Sequence, residues 1–304
     1  MALYGAVEGG GTKFVCAVGG GPDDRLATVR IPTTTPAATL PQIHQFLLDS
    51  AAQAGHSLTA IGIATFGPIE LDRRSPRYGY MLPTTKEGWS GAPVVAEITA
   101  GLDVPVAVDT DVNGAALAEY RWGAAKGCDP ALYLTVGTGI GGGVIVGGKT
   151  LHGLLHPEMG HIAVPRARDA AGNLDDFAGI CPFHGDCMEG MASGGAIAAR
   201  VGQPATNLAP DHPAWDFEAH YVAAGLAQHV LVLSPRRIVI GGGVLQQAHL
   251  LPRIRAALRA QLRTYISRPQ LDEDIDSYVV TPHYGDEAGL AGAFALAMQA
   301  AGAS

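Results

Sequence analysis

Residues 3–18 read LYGAVEGGGTKFVCAV, in which two short apolar runs lie on either side of a glycine-rich turn. Apolar runs of this length that end at glycines are typical of buried strands. A turn without Cβ atoms lets backbone N–H groups approach an anion closely. The stretch therefore predicts a hairpin whose turn can hold a phosphate group.

Two further glycine-rich turns follow strand-like runs. GTGIGGG at residues 137–143 comes after ALYLTV, and GGG at residues 241–243 comes after RIVI. The letters GTGIGG match the dinucleotide fingerprint, but that fingerprint requires a helix after the turn. Here the β-branched run VIV follows, so a second hairpin is predicted. A plain hairpin needs only two turn residues, and three such turns together indicate one nucleoside triphosphate held from several sides.

Around these turns, predicted strands alternate with predicted helices, which is the pattern of an α/β protein. The strands are predicted at residues 3–7, 14–18, 26–31, 58–65, 104–108, 131–136, 144–146, 237–240 and 278–280. The helices are predicted at residues 39–54, 92–101, 113–122, 191–201, 214–232, 244–266 and from residue 286. Strand, glycine turn and strand open both halves, so the sequence predicts a weak internal duplication and two similar lobes.

Composition narrows the class of protein. The chain has 304 residues, of which 47% are hydrophobic, and this is enough for two domains. Its net charge of -8 and its lack of a Lys/Arg-rich run argue against a nucleic-acid partner. No apolar run reaches the roughly 18 residues of a membrane span and no basic leader is evident, so we expect a cytoplasmic protein. In that reducing setting a close cysteine pair is expected to bind metal or act in redox chemistry.

The close pair lies in CPFHGDC at residues 181–187, which places Cys181, His184 and Cys187 three residues apart. Structural zinc takes four nitrogen or sulfur ligands in a tetrahedron. The run therefore predicts a zinc site, with a redox pair or unrelated packing as the alternatives. The fourth ligand is expected from three competing upstream histidines, namely His152, His156 and His161.

A candidate catalytic carboxylate lies in DTDVN at residues 109–113, where a predicted strand ends and a helix begins. Ligands of α/β sheets bind beyond the carboxyl ends of strands, and a carboxylate there can accept the proton of a hydroxyl group. Aspartate is also a preferred helix cap. From the local chemistry alone, Asp109 or Asp111 is as well explained by capping as by catalysis.

Taken together, the chain resembles the ROK family of repressors and sugar kinases, which has the two-lobed actin-like ATPase (ribonuclease H-like) fold. The resemblance covers essentially the full chain. It rests on EGGGTK at residues 8–13, GTGIGGG at 137–143, GGG at 241–243, DVN with AALAE at 111–119, and EMGH at 158–161. It implies an N-terminal lobe of residues 1–115 plus about 286–304. It implies a C-terminal lobe of residues 116–285, with a zinc-bearing insertion.

The resemblance also implies roles for individual residues. Asp111 matches the catalytic base of the family. ATP is expected at Glu8, Gly10, Gly11, Thr12, Lys13, Gly137, Thr138, Gly139, Gly241, Gly242 and Gly243, with Mg²⁺ near Glu8. The sugar is expected at Gly67, Asn113, Glu158 and Glu189. Because the histidine of the family's E-x-G-H element ligates zinc, the structural Zn²⁺ is expected at His161, Cys181, His184 and Cys187.

Two departures from the common family pattern bear on the substrate. The Cys-x-x-His-x-x-Cys spacing is similar to that of the bacterial fructokinase branch, and Thr110 stands where many glucose kinases of the family have Asn. The resemblance therefore implies ATP-dependent phosphorylation of fructose to fructose 6-phosphate by a homodimer. The alternatives are a glucose, mannose or N-acetylmannosamine kinase, and a sugar-sensing protein without catalysis.

The segment 72–90 is predicted to be an irregular loop rich in Arg, Pro, Gly and Tyr. Its larger side chains are Tyr78, Tyr80, Lys86 and Trp89. The loop is expected either to close over the sugar or to be a plain solvent or dimer-contact loop.

Overall fold

The computed structural model of the protein describes residues 2–169 and 171–303. Within these residues the strands are β1 (Tyr4–Gly9), β2 (Lys13–Gly21), β3 (Asp24–Pro32), β4 (Ala60–Thr65), β5 (Val106–Thr110), β6 (Ala131–Val136), β7 (Ile140–Val146), β8 (Lys149–Thr150), β9 (Arg237–Gly241) and β10 (Val279–Val280). The α-helices are α1 (Pro36–Ala54), α2 (Val94–Ile98), α3 (Asp111–Arg121), α4 (Met188–Ala192), α5 (Gly194–Val201), α6 (Ala214–Leu233), α7 (Leu250–Leu262), α8 (Pro269–Asp272), α9 (Ile275–Tyr278) and α10 (Ala288–Ala300).

The chain divides into two compact units. Unit 1 comprises Met1–Gly123, Lys149–His156 and Asp286–Ser304, and unit 2 comprises Ala124–Gly148 and Pro157–Gly285. The short apolar runs of the sequence become the central strands of each unit, because they can be buried on both faces.

Unit 1 is built on a sheet with the strand order β3-β2-β1-β4-β5. β1 and β2 form an antiparallel hairpin that pairs Tyr4 with Gly19 and Gly9 with Phe14, whereas β1–β4 and β4–β5 are parallel. The helix α1 lays Leu40, Ile43 and Leu47 into the core beside the sheet. The parallel β4 and β5 bring their carboxyl ends to the edge at which α3 begins.

The helix α10 packs against α3, β4 and β1 of the same unit. Glycines permit this close approach, since a Cβ on Gly292 would meet the backbone of Gly114 and a Cβ on Gly62 would meet the carbonyl oxygen of Ala293. Side chains at these positions would force the helices and the sheet apart. The backbone of α10 therefore lies directly over the strands that lead to the candidate site.

Unit 2 repeats the same arrangement. Its sheet runs β10-β9-β6-β7, with β6 and β7 antiparallel from Ala131–Ile145 to Val136–Ile140 and with β6–β9 and β9–β10 parallel. This order matches β5-β4-β1-β2 of unit 1, which confirms the predicted duplication and both predicted hairpins. The long helix α6 buries Trp215, Tyr221 and Leu226 in the core of this unit.

Three predicted helices were too long. The helix predicted at 92–101 is only α2, which follows Pro93. The helix predicted at 191–201 is split into α4 and α5 by Ser193, whose backbone is extended and whose hydroxyl accepts a hydrogen bond from the Ala196 N–H to cap α5. The helix predicted at 244–266 begins only at Leu250, after a 3₁₀ turn. Apolar periodicity shows none of these breaks, which are set by local caps and turns.

The side chain of Trp89 in the 72–90 loop belongs to the core. It is fully buried, its indole N–H donates to the carbonyl oxygen of Thr34 (2.8 Å), and its ring stacks on Phe14 with centroids 5.6 Å apart. Trp89 therefore anchors this loop and cannot close over a sugar. Separately, none of the described helices is both long and apolar enough to cross a bilayer.

Candidate active site

The turn between β1 and β2 is held by its own backbone. The Gly10 N–H donates to the carbonyl oxygen of Lys13 (2.9 Å), and the Thr33 hydroxyl donates to the carbonyl oxygen of Gly10 (2.7 Å). Gly9 is required by packing, because a Cβ there would lie 2.6 Å from Oγ1 of Thr65. Gly11 has open space around it. The exposed part of the turn, Gly11 to Lys13, is thus the part free to meet a ligand.

Burial disfavours the ionised form of two carboxylates of unit 1. Burial, and next the negative charge of Asp111, raise the pKa of Glu8 to about 7. Burial raises the pKa of Asp111 to about 6, although its carboxylate accepts a hydrogen bond from the Val112 N–H (2.9 Å). Glu8 reaches the first turn of α10, where Gly289 leaves room for its carboxylate. Both carboxylates are therefore held in surroundings that penalise their negative charge.

Asp109 is fully committed to hydrogen bonds within unit 1. Its buried carboxylate accepts from the Thr110 N–H (2.8 Å), from Nδ2 of Asn113 (2.7 Å) and from the Thr150 hydroxyl (2.9 Å). Nε2 of His152 lies 3.1 Å and 3.0 Å from its two oxygens, and this hydrogen bond raises the pKa of His152. Asp109 thus has a structural task that leaves it no free lone pair directed at a substrate.

The helix cap at this edge is Thr110. Its hydroxyl oxygen accepts a hydrogen bond from the Asn113 N–H (3.2 Å), and Asp111 is the first residue of α3. Neither aspartate is needed as the N-cap, so the capping alternative for these two residues is wrong. Of the two carboxylates, Asp111 is the one left available for chemistry.

The predicted sugar residues Gly67 and Asn113 both lie at the carboxyl ends of unit 1 strands. A Cβ on Gly67 would come within 3.3 Å of the His156 ring, so a side chain there would crowd that ring. Asn113 is fully buried, and its Nδ2 faces Asp109. Its contact with a sugar stays a prediction.

In unit 2 the turn Gly137–Gly139 joins β6 to β7. The Gly137 N–H donates to the carbonyl oxygen of Gly139 (2.9 Å), and the carbonyl oxygen of Gly137 accepts from the Gly194 N–H (2.7 Å). Thr138 is exposed at the tip. Hydrogen bonds therefore hold the base of the turn, while Thr138 at its tip remains exposed.

The third turn lies beside the second within unit 2. Gly242 has φ +96°, and a Cβ there would lie 2.7 Å from Oγ1 of Thr135. A Cβ on Gly137 would lie 4.0 Å from the backbone nitrogen of Gly243, so the two turns are neighbours. Gly243 has open space around it. Gly242 is thus required by conformation, and Gly243 leaves the backbone accessible.

One further glycine run has the letters of a Walker A motif but not its structure. Residues 143–150 read GVIVGGKT, which matches G-x-x-x-x-G-K-[ST]. They run from β7 through a turn into β8, without a following helix. The N–H groups of Gly147 and Gly148 donate to the carboxylate of Asp129 (2.9 Å and 2.8 Å). A side chain already occupies the N–H groups that would cradle a phosphate.

A Cys/His cluster forms in unit 2. His161, Cys181, His184 and Cys187 place their ligand atoms within 4.8 Å of one another. Nδ1 of His161 lies 3.6 Å from Sγ of Cys181 and 3.7 Å from Sγ of Cys187. A tetrahedral zinc ion with bonds of about 2.0–2.3 Å has donor–donor edges of about 3.5 Å, so this donor set fits such an ion.

The three upstream histidines differ in whether they lie in the Cys/His cluster. His161 joins the cluster, whereas His152 pairs with Asp109 and His156 packs beside Gly67. The cysteines at 181 and 187 are free thiols.

The predicted sugar carboxylates Glu158 and Glu189 flank this cluster in sequence. Glu158 is exposed, and its carbonyl oxygen accepts from the His161 N–H (3.1 Å). Glu189 is half-buried; its Oε2 accepts from the Ile140 N–H (2.9 Å), and its Oε1 lies 3.9 Å from Nε2 of His161. Glu189 is therefore in contact with both the second glycine turn and the cluster.

These paired hairpin units, each with an open glycine turn, define a protein of the actin-like ATPase fold. The model of the ROK family matches residues 4–300, and the chain belongs to that family. The fructokinase of Zymomonas mobilis is 43% identical over 300 residues, covering 98% of this chain and 97% of the relative. The fructokinase of Pediococcus pentosaceus is 36% identical over 298 residues, covering 98% of each chain.

Among solved structures, a ROK family glucokinase from Streptomyces griseus in complex with glucose and AMPPNP superimposes with a TM-score of 0.72 at 27% identity. The match covers 98% of this chain and all of the glucokinase. Family and fold are thereby those that the sequence predicted.

Three features of the site were not predicted. The Asp109–His152–Thr150 network joins residues 41 and 43 positions apart, Thr110 rather than an aspartate caps α3, and Gly289 makes room for Glu8. Only the cap carried a local signal, since threonine directly before a helix is a common N-cap. The other two depend on long-range packing that periodicity does not encode.

Proposed function

We propose that the protein phosphorylates fructose at its 6-hydroxyl with ATP, with Asp111 as the general base. An ATP-dependent sugar kinase is what its family and fold define, and full-length similarity to fructokinases supports fructose as the substrate. The observation that carries the mechanism is the state of Asp111. It is a carboxylate at the start of α3, not needed as a cap, with a pKa raised to about 6.

In the proposed reaction, the Asp111 carboxylate accepts a hydrogen bond from the 6-hydroxyl and takes its proton as the oxygen attacks the γ-phosphorus. The bond between the γ-phosphorus and the β–γ bridging oxygen breaks, and ADP leaves with its electron pair. A pKa near 6 keeps Asp111 mostly ionised at neutral pH while leaving it more basic than an ordinary carboxylate.

The phosphates of ATP are proposed to meet the backbone of the glycine turns. In unit 1 these are Gly10, Gly11, Thr12 and Lys13, and in unit 2 they are Gly137, Thr138 and Gly139, with Gly241, Gly242 and Gly243 toward the adenosine. Such positioning and charge neutralisation supply most of the catalysis in phosphoryl transfer.

Two separate groups of side chains have donor atoms that suit a metal ion. The negative charge of Asp111 helps to raise the pKa of Glu8, a divalent cation would relieve this repulsion, and oxygen donors suit Mg²⁺. Glu8 would hold Mg²⁺ near the phosphates, where the ion would neutralise charge on the transferred group. Zn²⁺ at His161, Cys181, His184 and Cys187 would hold the surrounding segment in place.

The sugar is proposed to contact Gly67 and Asn113 in unit 1 and Glu158 and Glu189 in unit 2. Carboxylate oxygens accept hydrogen bonds from sugar hydroxyls, which fixes orientation. By family resemblance we also propose a homodimer, which sedimentation at micromolar concentration tests.

The product identifies the reaction. Protein, fructose, ATP and Mg²⁺ should release ADP in step with a phosphate monoester at carbon 6, seen by ³¹P and ¹³C NMR. ADP release without a sugar phosphate, or a phosphate at carbon 1, contradicts the proposal.

A further inference from the structure

A short segment after Cys187 forms hydrogen bonds with both sides of the second glycine turn. Glu189 accepts the Ile140 N–H through Oε2 (2.9 Å), and the Gly194 N–H donates to the carbonyl oxygen of Gly137 (2.7 Å). A Cβ on Gly139 would lie 2.6 Å from Oε2 of Glu189, so the turn backbone rests directly on this carboxylate. Gly137 is the first residue of the turn, and Ile140 directly follows its last residue.

The same segment is continuous with the Cys/His cluster. Cys187 is the N-cap of α4, in whose first turn Glu189 lies, and the Ser193 N–H donates to the carbonyl oxygen of Glu189 (3.1 Å). Nδ1 of His161 faces the two thiols, and Nε2 on its other side lies 3.9 Å from Oε1 of Glu189. Glu189 is therefore linked to Cys187 by two residues of chain and lies 3.9 Å from His161.

We propose that Glu189 is a positioning residue that ties the Gly137–Gly139 turn to the metal cluster, so that occupation of the cluster sets the affinity for the nucleotide. The proposal rests on the proposed function for the role of the turn. It gives one carboxylate oxygen of Glu189 a task at the nucleotide, separate from its proposed contact with the sugar. The metal would then favour binding of the nucleotide as well as binding of the sugar.

Calorimetric titration of ADP with Mg²⁺, without any sugar, isolates this role. Glu189→Ala leaves the Ile140 N–H without its acceptor, and loss of a charge-assisted hydrogen bond should weaken ADP about tenfold or more. Glu189→Gln keeps an oxygen that can accept the Ile140 N–H, so it should lose clearly less. Glu273→Ala, an exposed glutamate of unit 2, is the matched control and should bind as the native chain does.

Coupling between the metal and ADP binding is tested by a thermodynamic cycle that combines the Glu189→Ala substitution with removal of the metal by a chelator. Chelation should weaken ADP binding to the native chain by about the factor seen for Glu189→Ala, and should add little to that variant. Native-like ADP affinity in a Glu189→Ala variant with an unchanged melting curve overturns the proposal. The proposal is also overturned if the effects of chelation and of the substitution on ADP affinity multiply, or if the native protein contains no metal.

If Glu189→Ala does not fold, amide exchange in the native chain decides. Chelation should speed exchange at residues 137–141, and unchanged exchange there overturns the coupling. The reaction with fructose is measured on the native chain alone, so failure of the proposed function is seen separately.

Discussion

At the scale of single residues, Asp109 and Asp111 show how burial and partners assign different tasks to two carboxylates two positions apart. Asp109 is surrounded by donors on Thr110, Asn113 and Thr150, which satisfy it completely. Asp111 is left with backbone donors only, and its pKa is raised. The DTDVN pattern identified the pair, but only the folded chain assigns the donors, since Thr150 is distant in sequence.

Replacing Asp111 with Asn tests the base. The amide keeps the size of the side chain and can still accept the Val112 N–H, but it cannot take a proton. We expect kcat for fructose to fall by at least ~10², the range for a lost general base, with ADP affinity and melting temperature little changed. Turnover close to that of the native enzyme would remove Asp111 from the mechanism.

The pH dependence follows from the raised pKa of Asp111. Protonation of Asp111 below a pKa of about 6 removes the proton acceptor, so activity should be lost as the pH falls through that value. We expect kcat/KM for fructose to decline about tenfold per pH unit on the acid side. Steady-state kinetics from pH 5 to 8 in constant ionic strength measure this, and a profile that is flat down to pH 5 is incompatible with it.

Replacing Asp109 with Ala should act on stability more than on any one substrate. The change leaves the amide of Asn113, the Thr150 hydroxyl and the His152 ring without their buried acceptor, and we expect a loss of at least ~2 kcal/mol in the free energy of unfolding. Urea denaturation measures it. The exposed Asp103→Ala is the matched control, and equal stability of the two variants would show that the network contributes nothing.

At the scale of elements, the glycine turns and the cluster were the predictable features. A turn of three glycines between apolar runs admits few structures, and both hairpins formed as the sequence predicted. Helix ends were predicted poorly at α2, α5 and α7, because capping by Ser193 and 3₁₀ turns compete with apolar periodicity. Residues 143–150 show that a motif can occur without its structure: the sequence matches a Walker A motif, but the N–H groups that would bind a phosphate already bind Asp129.

Metal binding is tested at the segment that carries the cluster. We expect one zinc ion per untagged chain, and Cys181→Ser should lose it and lower the unfolding midpoint by at least ~5 °C, because metal binding is coupled to folding. Cys128→Ser, outside the cluster, should retain both the metal and the midpoint. Elemental analysis and calorimetry measure the two quantities, and active protein without stoichiometric metal contradicts the assignment.

At the scale of the whole molecule, two units with the same strand order arise from one repeated pattern of strand, glycine turn and strand. That repeat was visible in the sequence because glycines and apolar runs recur in both halves. The shared order of parallel partners, β4 with β1 and β9 with β6, was not visible, since it depends on pairing between strands distant in the chain. Substrate choice likewise depends on more than one motif.

We expect this ROK kinase to prefer fructose. Thr110 caps α3 with its hydroxyl and cannot offer the paired amide donor and acceptor of Asn. A site that leaves polar groups unpaired can discriminate by up to ~10⁴ between sugars. The most direct measurement is kcat/KM for fructose, mannose and glucose with ATP and Mg²⁺, followed by coupled ADP release. We expect the highest value for fructose, a lower one for mannose and one far below for glucose; a glucose value equal to or above that for fructose would refute the preference.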